Sequence, residues 1–243
     1  MAVGVSLGLL GSGGSILTVP ILIYLLGQPD KVAIAGSLAI VGIISLVAAV
    51  PHVLRGWIDW RSVFLFGLPG MLGAWSGAYL AHFVSGSFQL VLFGIVMLLA
   101  AGFMLRPAPI AGMQRQAWWL VVAEGLTVGI VTGLVGVGGG FLIVPALVLL
   151  GGLPMHVAIG TSLLIIALKS GVGIFEYVQV LQGEGLALDW TVIAIFSAVG
   201  IAGSLLGSII GRHMSRTILQ RVFAVFLVAT SVFVLVHNVG RLT

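Results

Sequence analysis

The chain has 243 residues, of which 60% are hydrophobic and 7% charged, with a net charge of +4 and no cysteine. So little charge cannot cover a water-soluble globule of this size, and the missing thiols exclude disulfides, thiolate metal sites and thiol chemistry. The positive excess sits mainly in short loops between apolar runs, where it sets membrane topology and gives no reason to invoke nucleic acid. Nearly every long segment exceeds the roughly 20 apolar residues that cross a bilayer as a helix. The short alternating strands of a membrane barrel are absent. The expected fold is an all-α polytopic membrane protein.

The chain opens on no basic region, so no cleaved signal peptide is expected. It runs directly into Gly8-Leu-Leu-Gly-Ser-Gly-Gly-Ser-Ile-Leu-Thr-Val-Pro20, and Gly133-Leu-Val-Gly-Val-Gly-Gly-Gly-Phe-Leu-Ile-Val-Pro145 repeats that string 125 positions later. A polar corner, Gly27-Gln-Pro-Asp-Lys31, precedes an apolar segment from Val32 to about His52. A loop with Arg55, Trp57, Asp59, Trp60 and Arg61 leads to Val63–His82, and Phe88–Leu105 follows. Arg106-Pro-Ala-Pro and Gln114-Arg-Gln mark a boundary, so residues 1–107 form a first repeat, 108–117 a connection and 118–243 a second repeat.

The second half keeps the order. Trp118–Leu150 holds the glycine break, Gly152-Leu-Pro-Met-His156 is the corner, and Val157 to about Val180 is the next apolar segment. Leu188-Asp-Trp190 then matches Ile58-Asp-Trp60 at an offset of 130, which places a five-residue insertion in the loop before it. Trp190–Gly211 and Thr217–His237 close the copy. More than half of the positions in Gly8–Leu38 recur in Gly133–Leu163, the mark of an internal duplication. Met1 aligns with Leu126, so the first repeat is expected to be short at its front.

Charge suggests how the halves are oriented. Arg55, Arg61, Arg106 and Arg115 place their loops in the cytoplasm, whereas the loop equivalent to Arg55 in the second copy carries Glu184 and Asp189. Its basic cluster, Arg212, Arg216 and Arg221, has moved to the following loop. This reversal predicts inverted repeats. Inversion requires an odd number of crossings per half, so the glycine-broken segment is expected to be a re-entrant hairpin followed by three crossings, with both termini outside. Gly140 to Leu150 would reach only about half of a ~30 Å core. Eight straight crossings with parallel halves is the competing topology.

The glycine strings are the first candidates for chemistry. A helix that starts after such a break presents free N–H groups and a partial positive charge, and glycine lets a ligand approach the backbone. Two such starts brought together suit a small oxyanion. The candidate residues are Ser12, Gly13, Gly14 and Ser15 in the first copy and Gly136, Gly138, Gly139 and Gly140 in the second. Close helix packing is the alternative use, preferred for Gly73-xxx-Gly77 and Gly203-xxx-Gly207-xxx-Gly211.

Ser37 and Ser162 occupy matching positions, with Thr161 beside the second, and could donate to the anion or bond back to their own helices. Lys169 lies mid-segment, where a lysine costs at least ~2.5 kcal/mol unless it faces a partner or a cavity. It lines a permeation path, pairs with Glu176 or Glu124, or snorkels to an interface; its counterpart in the first copy is Ile44. Glu124 and Glu176 are candidate proton carriers. His52, His82, His156, His213 and His237 fall at segment ends without metal-ligand spacing, so neither a metal nor a cofactor is expected. Trp57, Trp60, Trp118, Trp119 and Trp190 read as interfacial anchors. No nucleotide-binding loop of the Walker type is present, which argues against ATP-driven transport by this chain alone.

The paired strings Gly11–Pro20 and Gly136–Pro145, the corners with Pro29 and Pro154 followed by Ala-Ile-(Ala/Gly)-x-Ser, and Ile58-Asp-Trp60 before a glycine-rich segment resemble the TauE/SafE family of sulfite and organosulfonate transporters. The resemblance covers nearly the whole chain. It implies movement of a small sulfur oxyanion such as sulfite, or of a sulfonate, across a bacterial inner membrane. The repeats suggest a secondary transporter in which one half rocks against the other in alternating access; no catalytic pair is found, so no enzyme is expected, and a homodimer is one expected assembly. An anion channel built from the same residues is the alternative. The polar form of the first string, the short front and Lys169 depart from the family pattern and leave substrate and coupling open.

Overall fold

The protein is described by a computed structural model covering residues 4–5, 13–105, 117–135, 140–211, 214 and 216–238. Those residues form helices and no strand. In chain order they are α1 (Gly13–Pro20, winding on through a wider π-helical turn, Ile21–Leu25), α2 (Asp30–Leu54), α3 (Trp60–Phe83) and α4 (Gly86–Leu105). The second half gives α5 (Trp118–Val135), α6 (Gly140–Pro145, with the π-helical turn Ala146–Leu150), α7 (Met155–Gly183), α8 (Trp190–Gly211) and α9 (Arg216–Asn238). Six of these, α2, α3, α4, α5, α7 and α8, are long and apolar enough to cross a membrane, and α9 carries a shorter apolar stretch, Ala224–His237.

The repeated motifs do repeated structural work. Pro20 and Pro145 lack the N–H that would bond one turn back, and at both the α-helix gives way to the wider π turn. Gly27 and Gly152 then turn the chain at φ +66° and +65°, a conformation that favours glycine. Asp59 and Asp189 are N-caps. Asp59 Oδ2 accepts from Ser62 N at 3.0 Å, and Asp189 Oδ1 accepts from Thr191 N at 2.9 Å and Val192 N at 3.1 Å. The Asp-Trp pair thus starts α3 in one half and α8 in the other.

The extra length between the copies is not mainly in the loop. Helices α2 and α7 begin 125 positions apart but end, at Leu54 and Gly183, 129 apart. Four of the five additional residues lengthen α7 by about one turn. Gln182 and Gly183 extend the helix beyond the apolar segment, where water can satisfy their peptide groups.

Equivalent helices of the two halves cross antiparallel. Leu38 packs on Gly173, Gly42 on Ser170, and His52 with Trp57 on Gly160. The contacts around this crossing are duplicated. Gly70 of α3 leaves room for Lys169 of α7, and its counterpart Gly200 of α8 leaves room for Ile44 of α2. Gly129 meets Gly70, as Gly4 meets Gly200.

Each end of the bundle is defined by contacts between halves. At one end Trp57 stands edge-on to His156 at 5.3 Å, and Asp59, Arg61 and Ser62 share a recess with Val121, Gly151 and Leu153. The outer ends of α5 and of the α6 turn therefore meet at this same end, as the two limbs of a hairpin do. At the other end Lys31 pairs with Glu184, His82 Nε2 lies 3.6 Å from Glu176 Oε1, and Tyr24 packs on His237 at 5.3 Å.

Helix α5 is held tightly along its length. Phe66, Gly70, Gly73 and Gly77 of α3 meet Gly125, Gly129, Ile130 and Leu134 of α5 in rising order, so the two run parallel and nearly backbone to backbone. A methyl group on Gly73 would stand 2.9 Å from Ile130 N and 3.0 Å from the Gly129 Cα. Without side chains between them the helices gain dispersion contact that apolar lipid cannot replace. Gly133, the head of the duplicated string, faces Ala74 and belongs to this seam. So part of the string is a packing device.

What ends α5 is also specific. Its last carbonyls have no partner within the helix. Tyr177 Oη donates to Gly133 O at 3.2 Å and Leu134 O at 3.0 Å, and Gln89 Nε2 donates to Leu134 O at 2.5 Å and to Tyr177 Oη at 2.9 Å. Both side chains are fully buried. A helix can stop inside apolar surroundings here because two side chains from α7 and α4 take over its free acceptors.

Two outcomes follow from this packing. Gly73→Ala should destabilise the purified protein by about 1–3 kcal/mol through overpacking, whereas Gly102→Ala, where a methyl meets nothing within 4 Å, should leave thermal unfolding unchanged or improved. Equal melting of the two variants would contradict the seam. Tyr177→Phe should lower stability by about 1–3 kcal/mol by taking the side-chain donor from Gly133 O and leaving Leu134 O to Gln89 alone, and no change in melting would show that the cap is dispensable.

Candidate functional site

The two short helices that follow the glycine strings lie inside the bundle against each other. Helix α1 also packs on α2 of its own half and on α9 of the other; α6 packs on α7 of its own half and on α4 of the other. Thr18, Val19 and Pro20 of α1 and Ile143, Val144 and Pro145 of α6 are buried. Gly13, Gly14 and Ser15 form the first turn of α1, and Gly140 starts α6. Ser12, Gly136, Gly138 and Gly139 lie outside the described residues.

Lys169 is 1% exposed in the middle of α7. Its Nζ donates to Thr132 Oγ1 at 3.1 Å, and that hydroxyl donates on to Gly129 O at 3.2 Å. A cavity of about 10 Å³ adjoins it, lined by Leu38, Ala74, Thr132, Gly133 and Gly173. That is room for about one water molecule. The ion pairs among the described residues are Lys31–Glu184 and His82–Glu176, so the pairing of Lys169 with Glu176 expected as one alternative is replaced by a hydroxyl contact. Nor does the lysine snorkel, since its head is enclosed by α3, α5 and α7. A lysine amine buried against one neutral hydroxyl carries a charge only at a cost, which an anion brought beside it would offset.

The other candidates separate. Ser37 and Ser162 make the same local bond, donating to Ile34 O at 3.0 Å and Ile159 O at 2.9 Å. Thr161 is drawn to the loop at the arginine-bearing end, where its Oγ1 accepts from Asp59 N at 2.9 Å. Glu176 lies at the opposite end beside His82, and Glu124 sits in the first two turns of α5. The two carboxylates therefore stand toward opposite ends of the bundle. Trp60, Trp118, Trp119 and Trp190 are half or more exposed at helix ends, as anchors are, while Trp57 is wedged between His52 and His156.

Thr132, Tyr177 and Gln89 join this region without having been expected. Gln89 carried a usable signal, as the one amide in the apolar run from Phe88 to Leu105. Thr132 and Tyr177 had none, because their importance depends on which helices meet.

Helix α1 and helix α6 thus touch inside the bundle, and Lys169 is buried in α7 with a small cavity beside it. Comparison with known proteins gives the family. The family model described as "Sulfite exporter TauE/SafE" matches residues 1–234. A probable membrane transporter protein of Xylella fastidiosa (strain 9a5c) is 35% identical over 96% of this chain and 91% of its own length. The probable membrane transporter protein YunE of Bacillus subtilis (strain 168) is 27% identical over 90% of this chain and 89% of its own. A probable membrane transporter of Methanocaldococcus jannaschii is 30% identical over 72% of this chain and 70% of its own. No solved structure matches the chain. With an all-helical, multi-pass architecture and a family match along nearly its whole length, the chain belongs to the TauE/SafE family of membrane transporters.

Proposed function

We propose that this protein is a secondary transporter that moves a small sulfur-containing oxyanion, of the sulfite or organosulfonate class, across the bacterial inner membrane by alternating access. The observation that carries the reading is the contact between α1 and α6, two buried helices that both begin at glycine strings. The anion sits between Ser12–Ser15 and Gly136–Gly140, held by backbone N–H groups, with Lys169 supplying the counter-charge. Ser37, Thr161 and Ser162 brace the helices around it through the bonds described above. The nearly filled space at Lys169 favours a carrier over an open channel.

The repeats, 1–107 and 118–243 joined by 108–117, move as the two units. Their inversion is supported by the antiparallel α2–α7 pair, since copies related by an axis along the bundle would place equivalent helices parallel. Arg55, Arg61 and the start of α9 lie at one end, which is then cytoplasmic; Asp30, Glu176, Glu184, Asp189 and His237 lie at the other. Both chain termini face outward in this topology. Glu176 beside His82 is positioned to exchange a proton at the outer end, and Glu124 at the inner one.

The anion reading is tested by Lys169→Met in proteoliposomes loaded with sulfite or a simple sulfonate. Loss of a charged partner should weaken apparent affinity at least about tenfold; unchanged affinity would remove Lys169 from the site. Topology is tested in this cysteine-free chain by Leu54→Cys and Ala187→Cys. An impermeant thiol reagent added to intact cells should label Ala187→Cys and spare Leu54→Cys, and the reverse pattern would invert the assignment.

A further inference from the structure

Hydroxyls inside this bundle generally bond back to their own helix. Ser37, Ser162, Ser204 and Thr230 donate to Ile34 O, Ile159 O, Ile201 O and Phe226 O. Among the described residues Ser45, Ser170 and Ser197 do not, and of these Ser45 and Ser170 are the pair at equivalent positions. Ser45 is 0% exposed and Ser170 1%, and neither Oγ has a hydrogen-bond partner. A buried hydroxyl left unpaired is costly and is uncommon in native structures.

The two positions are equivalent, since the 125-residue offset that maps the first half on the second carries 45 to 170. They also flank the point where α2 and α7 cross. A methyl on Gly42 would stand 2.9 Å from Ser170 Cβ, so the helices are nearly in backbone contact there. Small residues alone would explain that approach. They do not explain the hydroxyls, because alanine packs as closely and leaves nothing unsatisfied. Serine at both equivalent positions, unpaired at both, indicates a partner that is absent from this closed arrangement.

The surroundings indicate the chemistry of that partner. Lys169 immediately precedes Ser170, and its cavity is lined by Leu38 and Gly173, one turn from Gly42 and Ser170 along each helix. A hydroxyl donor from each half beside a buried ammonium matches an anion bearing several acceptor oxygens. We propose that Ser45 and Ser170 form a symmetric pair of donors to the transported oxyanion, engaged when α2 and α7 separate at their crossing and the anion passes from one half to the other. This rests on the transport reading above and adds to it a second binding position.

The test uses the full chain in proteoliposomes with radiolabelled sulfite and, separately, methanesulfonate, together with thermal unfolding in detergent. Wild type is compared with Ser45→Ala, Ser170→Ala, the double variant, and Ser204→Ala as a back-bonded control. Because no bond is lost in the closed arrangement, the first three should melt at or above the wild-type temperature. KM should rise at least about tenfold in each single variant, with Ser204→Ala unchanged. An unchanged KM in the single and double variants overturns the pair, as does an effect confined to one serine. Loss of folding in either alanine variant also overturns it, since the hydroxyl would then be structural. If wild type moves neither anion, the transport reading itself falls and takes this inference with it.

Discussion

A peptide group that leaves its helix inside hydrocarbon must be satisfied from elsewhere in the protein, and the architecture is arranged around that constraint. Helix α5 ends, and helices α1 and α6 begin, inside the bundle, and at the end of α5 side chains from other helices meet the cost. Tyr177 and Gln89 close the carbonyl end of α5. The glycine seam between α3 and α5 fixes the height at which that end lies. In the proposed function the donor ends of α1 and α6 take a charged ligand, because helix dipoles favour an anion there.

Duplication makes the scaffold symmetric, and single residues make it directional. Gly70 with Lys169 and Gly200 with Ile44 are the same contact in two chemical forms, one charged and one apolar. In the proposed function a lysine on one side of an otherwise matched pair biases where the anion rests and which half holds it more tightly. The ends are unequal as well, with arginines toward one and most carboxylates toward the other. Such asymmetry matters to a transporter, since two identical halves would bind equally from either side.

Much of this was legible in the linear chain, and the reasons differ by residue. The crossing segments follow from composition, and the duplication from direct comparison of the two strings. Lys169 stood out because charge inside an apolar run is expensive wherever it points. Its partner was not legible: Thr132 is 37 positions away on another helix, and only the α5–α7 register brings them together. Tyr177 looked like any aromatic in an apolar segment until Gly133 and Leu134 were placed beside its hydroxyl. Gln182-Gly-Glu-Gly looked like a loop because it is polar, yet α7 runs on through Gly183, since outside the apolar layer polarity no longer separates helix from coil. The unpaired hydroxyls of Ser45 and Ser170 were not legible either, because a serine's partner depends on side-chain rotamer and on the facing helix.

The most direct test of the account is to locate an anion in the protein. Crystals soaked with selenite, the anomalously scattering analogue of sulfite, should show a peak between the starts of α1 and α6, within reach of the Gly13–Ser15 and Gly140 backbone and on the Lys169 side of the interior. A peak confined to the recess by Asp59 and Arg61, or an interior without any peak while selenite competes with sulfite for uptake, would contradict the claim that two broken helices together hold the transported ion.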